Sequence, residues 1–309
     1  MDKKTERLVN VARMYYEQDR TQSEIADRYG ISRPMVSKLL KEARDRGIVT
    51  IRINAPKGES GGAPSLMELV GRCFGIYDGV AVPGGPNDQT TNEAVAEAAI
   101  SYLSELGGAS LGIGWGHIIG DVVKHMEHKA KLVPIGTFVC PLIGNGGVGL
   151  KNYHSNELVR SIAEHSGAQP RFIYSPACVL SEQELKLTRE LDSYHEIYHV
   201  WEKLDVALVN IGNFPSVPDF ASEARYGDLL IRQKAVGRIL NYFMDSQGHI
   251  IRSDTDYAIQ IPLELLTRTR HVVGICSANT SPKAFRAALK TGYLKHFIAP
   301  EHVVREALE

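Results

Sequence analysis

"YGISRPMVSKLLKEARDRG", Tyr29–Gly47, decides how the front of this chain is read. Gly30 supplies the left-handed turn that ends a preceding helix. Ser32 is placed to cap a new helix, and Pro34 sits in its first turn, where no intrahelical amide is lost. Val36, Leu39, Leu40 and Ala43 recur at helical spacing and form its buried stripe, and Gly47 stops it. Just upstream, "TQSEIADRYG" pairs Thr21 with Glu24 three residues later, the signature of a capping box. Further upstream, Leu8, Val11, Ala12, Tyr15 and Tyr16 mark another helix. Two short helices joined by a tight glycine turn make a helix-turn-helix. Its outward residues, Ser32, Arg33, Met35, Ser37 and Lys38, open the second helix, the end that enters a major groove and reads base edges. Thr21 and Gln22 start the first helix, where backbone amides hold a phosphate. "IVTIRI", Ile48–Ile53, alternates like a strand and is expected to form a wing. A plain helical hairpin with a solvated basic face would not require caps, turn and burial to agree in this way.

The bulk numbers fit this reading. The chain has 309 residues, enough for about two domains of roughly 150 residues. Residues 1–54 hold 12 Lys and Arg against 8 Asp and Glu, whereas the rest holds 23 against 28. A basic head on an acidic body suggests that only the head meets a polyanion. No apolar run approaches the roughly 18 residues of a membrane span, and the N-terminus lacks the apolar core of a secretory signal. A cytoplasmic protein is expected, with no membrane partner. The four cysteines, Cys73, Cys140, Cys178 and Cys276, are widely spaced and read as reduced thiols. The 11 histidines show no metal-ligand pattern. His195 and His199 fall four apart, a spacing that suits a helix face better than a metal pair. Neither a metal nor a cofactor is expected.

Residues 54–64, "NAPKGESGGAP", read as a linker between a head at 1–53 and a body at 65–309. Strand-like apolar runs ("GVAV", "SLGIG", "FVCPLIG", "DVALVNIG", "HVVGICSA") alternate with helical stretches near 65–75, 89–106, 117–128, 153–166, 181–204, 227–244 and 281–291. That alternation predicts an α/β body, a parallel sheet with helices on both faces. Two glycine-rich loops follow strands and open helices. In "LGIGWGHIIGDVV", Gly112, Gly114 and Gly116 would let amides approach an anion at a helix start. In "PLIGNGGVGLKNYHSNEL", Gly144–Gly149 forms a second loop, with Lys151 and Asn156 in reach. The spacings match neither a dinucleotide fingerprint nor a P-loop. Each loop alone could also be a tight strand-to-helix turn without a ligand. Two at strand ends of one sheet fit a ligand crevice better.

The head, "GIGWGHIIGDVV", "AVGRILNYFMDSQGHI" and "VVGICSANTSPKAFRAALKTGYLKHFI" together resemble the SorC/DeoR-type family of sugar-responsive bacterial transcriptional regulators. The resemblance covers nearly the whole chain. It implies a winged-type helix-turn-helix joined to a Rossmann-like effector domain similar to the sugar-phosphate isomerase and CoA-transferase fold. It implies double-stranded operator DNA and a sugar or sugar-phosphate effector as partners, control of a carbohydrate-utilisation operon, and a homo-oligomer, typically a tetramer. Carried over, Gly112, Gly114 and Gly116 cradle the effector, with Trp115 and His117 lining it. Gly144, Asn145 and Gly146 face them with Asn156 behind, and Asp245 accepts sugar hydroxyls, unless it caps the turn before Gly248. Members often carry GG-x-x-K before the final helix. Here Ser277 and Ala278 replace the glycines, Ser281 replaces the lysine, and Lys283 lies two positions on. Ser281 is expected to cap that helix, whose free amides would take an anion. Ile143 stands where a lysine would form a Schiff base, so no covalent effector chemistry is expected. The alternative is an isomerase-class enzyme with an appended head. Its acid and base would come from Asp121, Asp245, Asp254, Asp256 and His117, which form no convincing constellation.

Overall fold

Thr21 and Glu24 exchange the two bonds of a capping box: Glu24 N donates to Thr21 Oγ1, and Thr21 N to the Glu24 carboxylate. These bonds start the second of three helices: α1 (Lys3–Tyr16), α2 (Gln22–Tyr29) and α3 (Arg33–Asp45). Gly30 ends α2 at φ +61°, a left-handed conformation that costs glycine little. Val11, Met14, Ile25, Ala26, Val36 and Leu40 close a small core between them. The computed structural model describes residues 3–16, 18, 20–45, 48, 49, 64–106, 109–129, 134–147, 149–216 and 226–309. It divides into two units, Met1–Gly62 and Ala63–Glu309. The expected stop at Gly47, the wing beyond position 49 and the linker up to position 63 lie outside the described residues.

The second unit is a sheet covered by helices. Its described strands are β1 (Gly79–Val82), β2 (Leu111–Ile113), β3 (Phe138–Pro141), β4 (Gln169–Pro170), β5 (Val206–Asn213), β6 (Gly237–Ile239), β7 (Tyr242–Met244), β8 (His271–Ile275) and β9 (His296–Pro300). Seven of them pair in parallel in the order β1-β9-β8-β5-β2-β3-β4. β6 is antiparallel to the end of β5, and β7 to β6. The helices are α4 (Leu66–Phe74), α5 (Asp88–Glu105), α6 (His117–Glu127), α7 (Ser155–Ser166), α8 (Glu182–Glu190), α9 (Asp192–Glu202), α10 (Leu229–Arg232), α11 (Leu263–Arg268), α12 (Pro282–Lys290) and α13 (Glu301–Leu308).

β5 shows why the sheet carries helices on both faces. Val206 and Leu208 point into one core with residues of α5, α6 and α7. Ala207, Val209 and Ile211 point into the other, with Trp201 of α9 and Phe285 of α12. A strand buried on both sides reads as a continuous apolar run. Burial also raises the thiol pKa values of Cys140 and Cys276, and none of the four cysteines is in a disulfide.

Two expected helices come out differently. The stretch 181–204 is two helices broken at Leu191, whose ψ of 139° is extended. The helix expected over 227–244 is instead the short α10 followed by the β6–β7 hairpin. Residues 237–244 pair Ile239 with Tyr242 across Leu240 and Asn241. Leu240 has φ +52°, a conformation that costs a non-glycine residue about 1–3 kcal/mol. Its side chain is wholly buried, and that burial offsets the strain.

Candidate effector cleft and DNA-reading face

The strand order places a crevice. From β2 the chain moves outward to β3 and β4; from β5 it moves the other way, to β8 and β9. Open α/β sheets bind ligands where the order reverses, beyond the carboxyl ends of the strands. A cleft of about 1050 Å³ lies there. Gly116 and His117 reach it from the end of β2, Asn210 and Asn213 from β5, Arg238 from β6, and Ser277, Asn279 and Thr280 from the loop after β8. Asn92 and Glu93 of α5 and Asp121 of α6 complete the wall.

Gly116 sits at φ +102°, which an L side chain rarely adopts, and its N–H donates to Asn152 O at 2.7 Å. This turn aims His117 into the cleft, where its ring meets Tyr153 edge-on at 5.7 Å. Asn210 interrupts the apolar run of β5. It is 6% exposed, and its Oδ1 finds no donor among the described residues. A buried acceptor without a donor costs about 1–3 kcal/mol, and Asn210 lines the cleft. Burial raises the Asp121 pKa; the His117 and Lys124 charges oppose the shift and Glu93 adds to it. Asp121 and Glu93 therefore bring two carboxyl groups to the cleft wall.

The other residues singled out in the sequence sit elsewhere. Gly112 lies under Leu142 and Leu204, where a Cβ would come within 2.4 Å, and Gly114 under Asn210 and Leu240. Trp115 is fully buried, edge-on to Tyr153. Gly144, Asn145 and Gly146 donate their amides to Ile259, Ser175 and Tyr153 carbonyls. Asn145 Nδ2 and Asn156 Nδ2 both donate to Ile173 O, and Ile173 N donates to Asn156 Oδ1. This second loop is a clasp that ties the α7 start to the chain after β4. Asp245 caps its own turn, accepting from Gln247 N at 2.8 Å and His249 N at 3.0 Å. Ser281 occupies the N-cap of α12, but its side chain makes no cap bond, and Lys283 is exposed. Of the acid and base candidates, Asp121 and His117 share the cleft. Among the described residues no group of three or more His, Cys, Asp or Glu is placed to hold a metal. No described helix is long and apolar enough to cross a membrane.

In the head, Ser32, Arg33, Met35, Ser37 and Lys38 are exposed at the start of α3. Thr21, Gln22 and Arg33 line one hollow together with Tyr15, Arg20 and Ser23. Arg20, which the sequence reading passed over, adds a second guanidinium there and pairs with Glu24 at 3.4 Å.

Residues 63–309 match the Sugar-bind family, described as "Putative sugar-binding domain". The chain belongs to this family. Residues 5–46 match the region 4 domain of sigma-70. Among curated relatives, the sorbitol operon regulator of Klebsiella pneumoniae is 29% identical over 300 residues, covering 93% of this chain and 92% of that protein. The deoxyribonucleoside regulator of Bacillus subtilis is 26% identical over 317 residues, covering 99% and 98%. The crystal structure of full-length SorC from Klebsiella pneumoniae superposes with a TM-score of 0.68 at 27% identity, over 98% of each chain. These relatives are regulators, so the sugar-binding unit here serves regulation and not isomerase chemistry.

Proposed function

We infer that this protein is a transcriptional regulator whose operator binding is set by a sugar or sugar phosphate in the cleft of its second unit. The carrying observation is the pairing of two built surfaces in one chain. One is an exposed Arg33–Lys38 helix start on a capped helix-turn-helix. The other is a polar crevice at the strand-order reversal, with an unpaired Asn210 Oδ1 buried in its wall. The resemblance to operon regulators over almost the full length supports the same reading. The regulated genes are those of carbohydrate use, and the working form is a homo-oligomer, a tetramer, in which paired heads meet half-sites a whole number of DNA turns apart.

The mechanism is linkage. The ligand favours one arrangement of the oligomer, and that arrangement holds the heads well or badly for the operator. A differential affinity of about 1–3 kcal/mol changes operator binding roughly 5–150-fold.

Arg33 tests the DNA half of this reading. Arg33→Ala removes a fork that reads base edges, so operator affinity is expected to fall by about 1–3 kcal/mol while non-specific affinity changes less. Gel-shift titrations at one fixed salt concentration separate the two. An equal loss on operator and random DNA would reduce Arg33 to a phosphate contact.

A further inference from the structure

The second glycine-rich loop leads into a 3-10 turn, Lys151–Tyr153, that lies against the start of α6. Asn152 holds that start in three ways. Its O accepts the Gly116 N–H at 2.7 Å, and its Nδ2 meets His117 Nδ1 at 3.4 Å. Its Oδ1 is seated over Gly120, where an added Cβ would collide with it. Gly120 is thus a notch in α6 that the amide occupies. The next residue, Tyr153, sets its ring edge-on to the imidazole at 5.7 Å. Farther along, Ser161 of α7 donates Oγ to Glu127 at the end of α6 at 2.6 Å, so turn and helix are held to α6 along its length.

A neutral imidazole carries one N–H, and the bond made by one ring nitrogen decides where it sits. An amide N–H that donates to Nδ1 needs a lone pair there, which leaves the proton on Nε2. His117 lines the cleft, and Asn152 is not among the lining residues. The nitrogen turned away from Asn152 is therefore the one a ligand meets, and it meets it as a donor. Asp121, one turn on in α6, and Glu93 of α5 bring only carboxyl groups to the same wall. Asp121 is near enough for the His117 charge to act on its carboxyl. A donor fixed beside two carboxyl groups gives this part of the cleft a direction.

We propose that Asn152 is a positioning residue for ligand binding: it holds His117 in the Nε2–H form with that N–H facing the cleft, and Gly120 is the notch that admits it. The ligand half of the proposal rests on the reading of this cleft as the effector site. The tautomer half stands without it.

The test is magic-angle-spinning nitrogen NMR of the full chain labelled at histidine, at a pH about two units above the ordinary histidine value of about 6.5. The signals missing in His117→Gln belong to His117. The wild type is expected to show the Nε2–H form. Asn152→Asp keeps the shape and offers only acceptors, so it is expected to move His117 to the Nδ1–H form. A residue that merely packs would leave the tautomer unchanged. Gly120→Ala keeps Asn152 and suits a helix interior, but fills the notch, and is expected to give a mixture of both forms. It carries the test if circular dichroism shows Asn152→Asp unfolded. An Nδ1–H form in the wild type, or His117 signals unmoved in the folded variant, overturns the proposal. The ligand half is read by calorimetric titration with five- and six-carbon sugars, polyols and their phosphate monoesters. The tightest binder is expected to lose about tenfold in Asn152→Asp. His117→Gln, whose amide nitrogen reaches toward the place of Nε2, is expected to keep more affinity than His117→Asn, and the reverse order overturns the donor role. If no compound binds, the effector reading falls, and the tautomer still decides what Asn152 does.

Discussion

Replacing Gly116 with valine is expected to abolish the ligand response while operator affinity without ligand stays within about twofold of wild type. The obstacle is the backbone, since an added Cβ would meet little beyond Asn210 Nδ2 at 3.8 Å. At φ +102° a β-branched residue is strained by about 1–3 kcal/mol. Relief requires the start of α6 to rotate. That rotation breaks the Gly116–Asn152 bond and turns His117 and Asp121 away from Asn210. The head folds around its own core and has no part in this change. Operator titrations with and without a saturating ligand read both quantities. A Gly116→Val protein that still responds would remove the glycine turn from the site.

Trp201→Ala is expected to lower the stability of the second unit by about 3–5 kcal/mol. Trp201 is 1% exposed on α9, packs edge-on against Tyr194, and donates Nε1 to Pro141 O at 2.8 Å. Truncation leaves a cavity and a buried carbonyl without its donor. Against a total of about 5–15 kcal/mol this is a large fraction, and the urea midpoint of the second unit is expected to fall accordingly. A loss below about 1 kcal/mol would mean that neighbouring side chains collapse into the space.

The head was legible because its signals are local. Thr21 with Glu24, Gly30 at the turn and Pro34 in the first turn each act within one helical turn. In the body, five apolar runs announced β1, β2, β3, β5 and β8, because a strand buried on both faces has little room for polar residues. The elements left unread depend on partners distant in sequence. β4 is two residues long and exists through its pairing with β3. β6 and β7 follow from Asn213 meeting Gly237, and from the pocket that swallows Leu240. Read as a helix, that segment gave no place to Arg238, which lines the cleft. Asn210 left a usable signal: a lone amide inside "DVALVNIG" is polar where the pattern asks for an apolar side chain, and such breaks mark function. The glycine loops were found, but their backbone donors had been assigned to a ligand. The structure gives those of Gly114, Gly116, Gly144 and Gly146 to carbonyls, and after β8 it gives those of Ser277, Ala278 and Ser281 to Thr280, Asn92 and Asn213. Amide satisfaction is a three-dimensional property that spacing alone does not reveal.

The most direct test of the central claim is the operator dissociation constant of the wild-type protein, measured at one salt concentration with and without a sugar derivative that calorimetry shows to bind. Coupling between cleft and head predicts a change of roughly 5–150-fold, in either direction. An unchanged constant at saturating ligand would show that the two units do not communicate and would contradict the account.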